Sequence, residues 1–96
     1  MEIQHLNIHI YGKVHGVNFR RSLKEKAIKL GVNGFARNEP DGSVYTEAEG
    51  DREVLVRFVE YCRQGPVRAR VDRVEVAESS VHIYQDFENI SSSRPQ

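Results

Sequence analysis

QHLNIHIYGKVHGVNFRRSLKEKAIKLG, residues 4–31, changes its hydrophobic period once, and that change decides the fold. From Gln4 to Tyr11 apolar and polar residues alternate, with Leu6, Ile8 and Ile10 on one side and His5, Asn7, His9 and Tyr11 on the other. Successive side chains of an extended chain point to opposite faces, so this stretch predicts a half-buried strand. From Phe19 to Leu30 the spacing becomes three or four: Phe19, Leu23, Ala27 and Leu30 are separated by Arg20, Arg21, Lys24, Glu25, Lys26 and Lys29. That period predicts an amphipathic helix, which Gly31 stops. Between strand and helix, Gly12 and Gly16 interrupt both patterns and open backbone shapes closed to other residues, so GKVHGVNF is a loop.

Downstream, VNGFARNEPDGSVYTEAEG divides into two short strands around Pro40-Asp41-Gly42. Proline presets φ and glycine accepts positive φ, so a β-hairpin follows. Asp51 stands where it can cap a second helix of about residues 51–64, with Val54, Leu55, Phe58, Val59 and Cys62 as its apolar stripe and Gly65-Pro66 as its end. Val71 to Ala77 alternates again, and a last strand of unplaced register falls within Val81 to Ile90. The order strand, helix, strand, strand, helix, strand is the split βαβ, or ferredoxin-like, arrangement. The expected class is α+β: a mostly antiparallel sheet of four or five strands, with two helices on one face and the other face partly wet. Residues 1–90 read as one domain and SSSRPQ, residues 91–96, as a polar tail.

Composition narrows the functional classes. Ninety-six residues suit one domain, and 39% hydrophobic with 29% charged residues is a globular balance. Fourteen basic residues offset fourteen acidic ones, so no whole-molecule field draws the chain to nucleic acid or anionic lipid. Any anion site must be local. There is no apolar run of membrane-spanning length, and MEIQHLNIHI lacks the basic start and apolar core of a signal peptide, so a cytoplasmic monomer is expected. Cys62 is the only cysteine, which excludes an internal disulfide and a thiolate zinc cluster. His5 and His9, four apart on a strand, stand roughly 13 Å apart and cannot chelate one ion, and His82 has no spaced partner. No metal and no cofactor are expected.

The chemistry concentrates in Gly12 to Arg20, because a loop running into a helix N-terminus can converge unpaired N–H groups where the helix dipole is positive. Arg20 adds a planar fork that grips two phosphate oxygens at once. On spacing alone, the glycines could equally shape an ordinary turn, and Asn38, just before Pro40-Asp41-Gly42, could bond its own backbone.

A family pattern bears on those alternatives. GKVHGVNFR at 12–20, GFARN at 34–38, the turn after it, and Gly65-Pro66 followed by Ala69-Arg70-Val71-Asp72-Arg73-Val74 occur in this order and spacing. Together they resemble the acylphosphatase family, whose loop reads G-x-V-Q-G-V-x-F-R. The resemblance implies hydrolysis of a small-molecule acyl phosphate to a carboxylate and inorganic phosphate. It implies Arg20 and Asn38 as catalytic residues, Arg20 binding the phosphoryl group and Asn38 positioning the water. The substrate-binding cradle would be formed by the backbone of His15, Gly16, Val17, Asn18 and Phe19, with Arg20. His15 departs from the pattern's Gln, and Phe35 stands where Trp or Tyr is also frequent. His15 could set a pH-dependent charge near bound phosphate, but the favoured reading is one polar loop residue replacing another, its backbone N–H mattering more than its ring.

Three other readings compete. Cys62 and Arg68 have the spacing of thiolate phosphatases, but Cys62 sits near a helix end on its apolar stripe, the reverse of the required geometry. RNA-recognition modules share the βαββαβ order, yet Gly34-Phe35-Ala36 falls on the second strand of an uncharged chain. A non-catalytic module for small anions would keep Arg20 and the loop but leave Asn38 without a task.

Overall fold

The computed structural model describes residues 2–90; the expected polar tail, residues 91–96, lies outside the described residues. Along the chain run β1 (Ile3–Lys13), α1 (Phe19–Leu30), β2 (Asn33–Asn38), β3 (Val44–Asp51), α2 (Arg52–Gln64), β4 (Arg70–Ser79) and β5 (Phe87–Asn89). The sheet order is β4-β1-β3-β2-β5. β3 runs antiparallel between β1 and β2, so the first crossover spans a strand, as the split βαβ order requires.

The period-2 stretch pairs Leu6, Ile8 and Ile10 with Ala48, Thr46 and Val44 of β3, which puts these side chains on the face covered by both helices. Phe19, Leu23 and Ala27 of α1 and Leu55, Phe58 and Cys62 of α2 are buried against them. Each large apolar side chain so enclosed contributes about 1.5–3 kcal/mol relative to exposure, and this shared core aligns α1 with its first turn at the end of β1. The helix ends as its sequence demands. Gly31 adopts φ 77°, its N–H reaches the Ile28 carbonyl, and Val32 N–H reaches that of Ala27, a Schellman closure.

One expectation needs correction, and two regions gain definition. Asp51 has the extended backbone of an N-cap, but its carboxylate makes no capping bond, and the helix proper starts at Arg52. The last strand is short and pairs parallel to β2, Gly34 with Phe87 and Ala36 with Asn89. Only Phe87 of it is buried, which is why no alternation marked its register. Finally, the sheet face opposite the helices is not simply wet. His5 is fully buried there, and the His82 ring packs 5.2 Å from that of His5.

The cause lies in the segment between β4 and β5. It crosses the open face because Glu49 accepts the backbone N–H groups of His82, Ile83 and Tyr84. His5 lies between two carboxylates, with Nδ1 2.8 Å from Glu49 Oε2 and Nε2 2.7 Å from Glu47 Oε1. Between two ionised carboxylates both ring nitrogens must donate, so this arrangement favours the imidazolium. Burial opposes that charge, but the bonds to Glu49 and Glu47 outweigh it and raise the His5 pKa. For Glu49 burial likewise favours the neutral acid, and His5 with the three N–H groups overrides it, holding the carboxyl below its ordinary value.

Candidate active site

Where α1 begins, a cleft of about 300 Å³ is bordered by Gly16, Asn18, Arg20, Arg21, Asn38 and Asn89, with Val14 and Phe19 as its floor. The loop is shaped by alternating burial. Val14, Val17 and Phe19 are at most 5% exposed and pin it to the core, while Gly16 and Asn18 face outward. Both outward residues have positive φ, 70° and 63°. Glycine takes that shape freely and asparagine better than most residues. Among the described residues, no loop N–H from His15 to Phe19 donates to a backbone carbonyl outside the regular elements.

The local charge is unusual for a helix start. The first turn of α1 holds no acidic residue, and Arg20 and Arg21 stand there instead. Cations at an N-terminus oppose the helix dipole. The combination of dipole, uncommitted N–H groups and guanidinium favours an anion in the cleft. Arg20 is aimed by the far end of the chain: its Nη1 donates to the Ile90 carbonyl at 2.9 Å, just beyond β5. A guanidinium has five N–H donors, so this bond leaves others for a ligand.

Asn38 ends β2 opposite Val44. It makes no side-chain hydrogen bond to another described residue, whereas Asp41 closes the turn, its Oδ1 accepting Ser43 N–H at 2.9 Å and Ser43 Oγ–H at 2.6 Å. The turn's side-chain-to-backbone bond is thus made by Asp41, and Asn38 borders the cleft. His15 is half-buried and directs its side chain away from the loop, Nε2 lying 2.7 Å from the Ser43 carbonyl. Asn89 and Arg21 border the cleft although no sequence reading singled them out. Arg21 adjoined a motif residue, but Asn89 sat in a strand whose register carried no signal.

Cys62 lies in the core, 0% exposed and outside the cleft, and burial pushes its thiol pKa well up, the opposite of an activated nucleophile. Among the described residues no group of three His, Cys, Asp or Glu side chains is arranged to hold a metal ion, and no helix is long and apolar enough to cross a membrane.

Comparison with known proteins gives a consistent result. The acylphosphatase family model matches residues 6–89. An acylphosphatase of Thermococcus kodakarensis is 50% identical over 70 residues, 73% of this chain and 77% of that one. One from Thiobacillus denitrificans is 41% identical over 86 residues, covering 90% and 96%. The solved structure of a Coxiella burnetii acylphosphatase superposes with a TM-score of 0.89 at 33% identity, over 92% of this chain and 93% of its own.

Proposed function

Since the chain belongs to the acylphosphatase family and is accordingly a hydrolase of acyl phosphates, we propose that it cleaves them by direct in-line attack of water, with no covalent enzyme intermediate. The acyl phosphate dianion sits with its phosphoryl oxygens against the N–H groups of His15 to Phe19 and the Arg20 guanidinium. Asn38 accepts a hydrogen bond from a water through its side-chain oxygen and aims it at phosphorus, opposite the carboxylate. The water oxygen bonds to phosphorus as the bond from phosphorus to the acyl oxygen breaks. The leaving group departs as a carboxylate, and both water protons end on the phosphate.

A carboxylate is a good leaving group, so no strong general acid is needed. Negative charge spreads over the phosphoryl oxygens in the transition state, and fixed donors stabilise it there. The observation that supports this reading is the shared cleft: Arg20, the loop before it and Asn38, from separate segments, border one space.

The test is phosphate release from benzoyl phosphate. Arg20→Ala should lower kcat/KM by about 100–1000-fold, the scale of losing one fixed charge-stabilising donor, and weaken competition by inorganic phosphate. Asn38→Ala should lower kcat by about 100-fold, the scale of misplacing a reactant, while phosphate still competes. Full turnover by Asn38→Ala would remove its assigned role. Phosphate binding without any turnover by the native chain would leave a non-catalytic anion module.

A further inference from the structure

The one side-chain hydrogen bond that His15 makes among the described residues reaches across to the hairpin that carries Asn38. We propose that His15 is a positioning residue, tying the phosphate loop to the β2–β3 turn so that the water held by Asn38 lies in line with the bound phosphorus. The inference rests on the assignment of Asn38 to the attacking water.

The bond joins segments 28 residues apart, Nε2 of His15 to the Ser43 carbonyl at 2.7 Å. A carbonyl only accepts, so Nε2 carries the hydrogen, which selects the ring's tautomer. The same carbonyl takes Glu39 N–H at 2.8 Å, and Glu39 directly follows Asn38. Ser43 is 2% exposed and is itself held by Asp41 through both its N–H and its hydroxyl. One carbonyl thus connects the loop that would seat the phosphoryl group with the backbone beside the asparagine that would seat the water. Among the described residues no other side-chain hydrogen bond links residues 14–18 to residues 38–44. Val14, Val17 and Phe19 also anchor the loop, but their apolar contacts resist withdrawal from the core more than they define direction toward the hairpin.

In-line attack depends on the separation and angle between the two seats, and a misplacement of about 1 Å costs about 100-fold. Breaking the bond should therefore act on turnover and spare phosphate binding, whose donors are backbone N–H groups and Arg20. His15→Leu keeps the bulk and removes the donor. The expected result with benzoyl phosphate is a kcat lowered by about 10–100-fold, with the inhibition constant of inorganic phosphate changed by less than about threefold. His15→Gln should restore most of the turnover, because its amide N–H reaches about as far as Nε2. In an Asn38→Ala background His15→Leu should cost less than about twofold more, since two residues acting as a unit do not add.

Three results would overturn the proposal: kcat preserved in His15→Leu, the same loss with and without Asn38, or no recovery in His15→Gln. Should His15→Leu misfold, Asp41→Ala loosens Ser43 from the opposite side and must show the same split of kcat from phosphate inhibition; a loss of both together also refutes the idea. If Asn38→Ala itself keeps full rate, the assignment beneath falls and the inference with it. An impaired Asn38→Ala beside an unimpaired His15→Leu removes the inference alone.

Discussion

Replacing Glu49 by glutamine changes one oxygen to an amide nitrogen and leaves the shape of the side chain intact. Glu49 is 3% exposed, and Oε2 accepts from His5 Nδ1 and from the N–H groups of His82 and Ile83, while Oε1 accepts Tyr84 N–H at 2.8 Å. In its better orientation the glutamine keeps its oxygen toward the three donors and turns its NH2 toward Tyr84 N–H. Donor then faces donor, and the His5 imidazolium loses one of its two anions. An unsatisfied buried group costs about 1–3 kcal/mol, and the lost charged partner adds to it, so a total near 3 kcal/mol is expected. For a chain of this size each kcal/mol moves Tm by about 4–8 °C, which gives a fall of about 12–24 °C. Circular dichroism melts of native and Glu49→Gln protein at pH 6 measure it, with Glu60→Gln on the exposed face of α2 as the neutral comparison. A fall below about 4 °C would mean that the segment over the open face is held by something other than this carboxylate.

The same cluster sets a pH dependence. His5 has a raised pKa, so its contribution is complete below its ordinary value of 6.5 and is lost as pH rises through the folded value. Glu47 and Glu49 have lowered values, so theirs is complete above the ordinary 4.5 and is lost as pH falls. Tm should therefore peak between pH 4.5 and 6.5, and a Tm still climbing from pH 6.5 to 8 would contradict the charged state assigned to His5. Gly34→Ala should lose about 2–4 kcal/mol in urea melts, because φ is 147° and a Cβ would stand 1.9 Å from the Glu47 carbonyl oxygen. Gly42→Ala, with φ 93° and open space around it, should lose only about 1–2 kcal/mol, so equal losses would count against the steric argument. Cys62→Ser buries a hydroxyl in the core at a cost of about 1–3 kcal/mol and should leave kcat on benzoyl phosphate unchanged; loss of turnover in a folded variant would restore the thiol to consideration.

The parts of this protein that were legible in its sequence are those written in local spacing. A change of period across Gly12 and Gly16 marks β1, the loop and α1, and the 12-residue helix begins and ends at Phe19 and Leu30 as its apolar repeat requires. Pro40-Asp41-Gly42 marks the hairpin, and the motifs around Arg20 and Asn38 nominate the residues that border the cleft. Such patterns are legible because a side chain's face follows from its position within three or four neighbours.

Tertiary structure decided what depends on partners distant in the chain. β5 carries one buried residue and owes its place to pairing with β2; from there the Ile90 carbonyl reaches Arg20, 70 positions back. His5, polar by its place in the alternation, is buried because Glu49 and the residues after β4 close over it. The loop histidine finds its acceptor only once the hairpin is folded beside it. Period and turn chemistry carry no information about which remote carbonyl or carboxylate a polar side chain will meet, since that choice is made by the packing of the whole sheet.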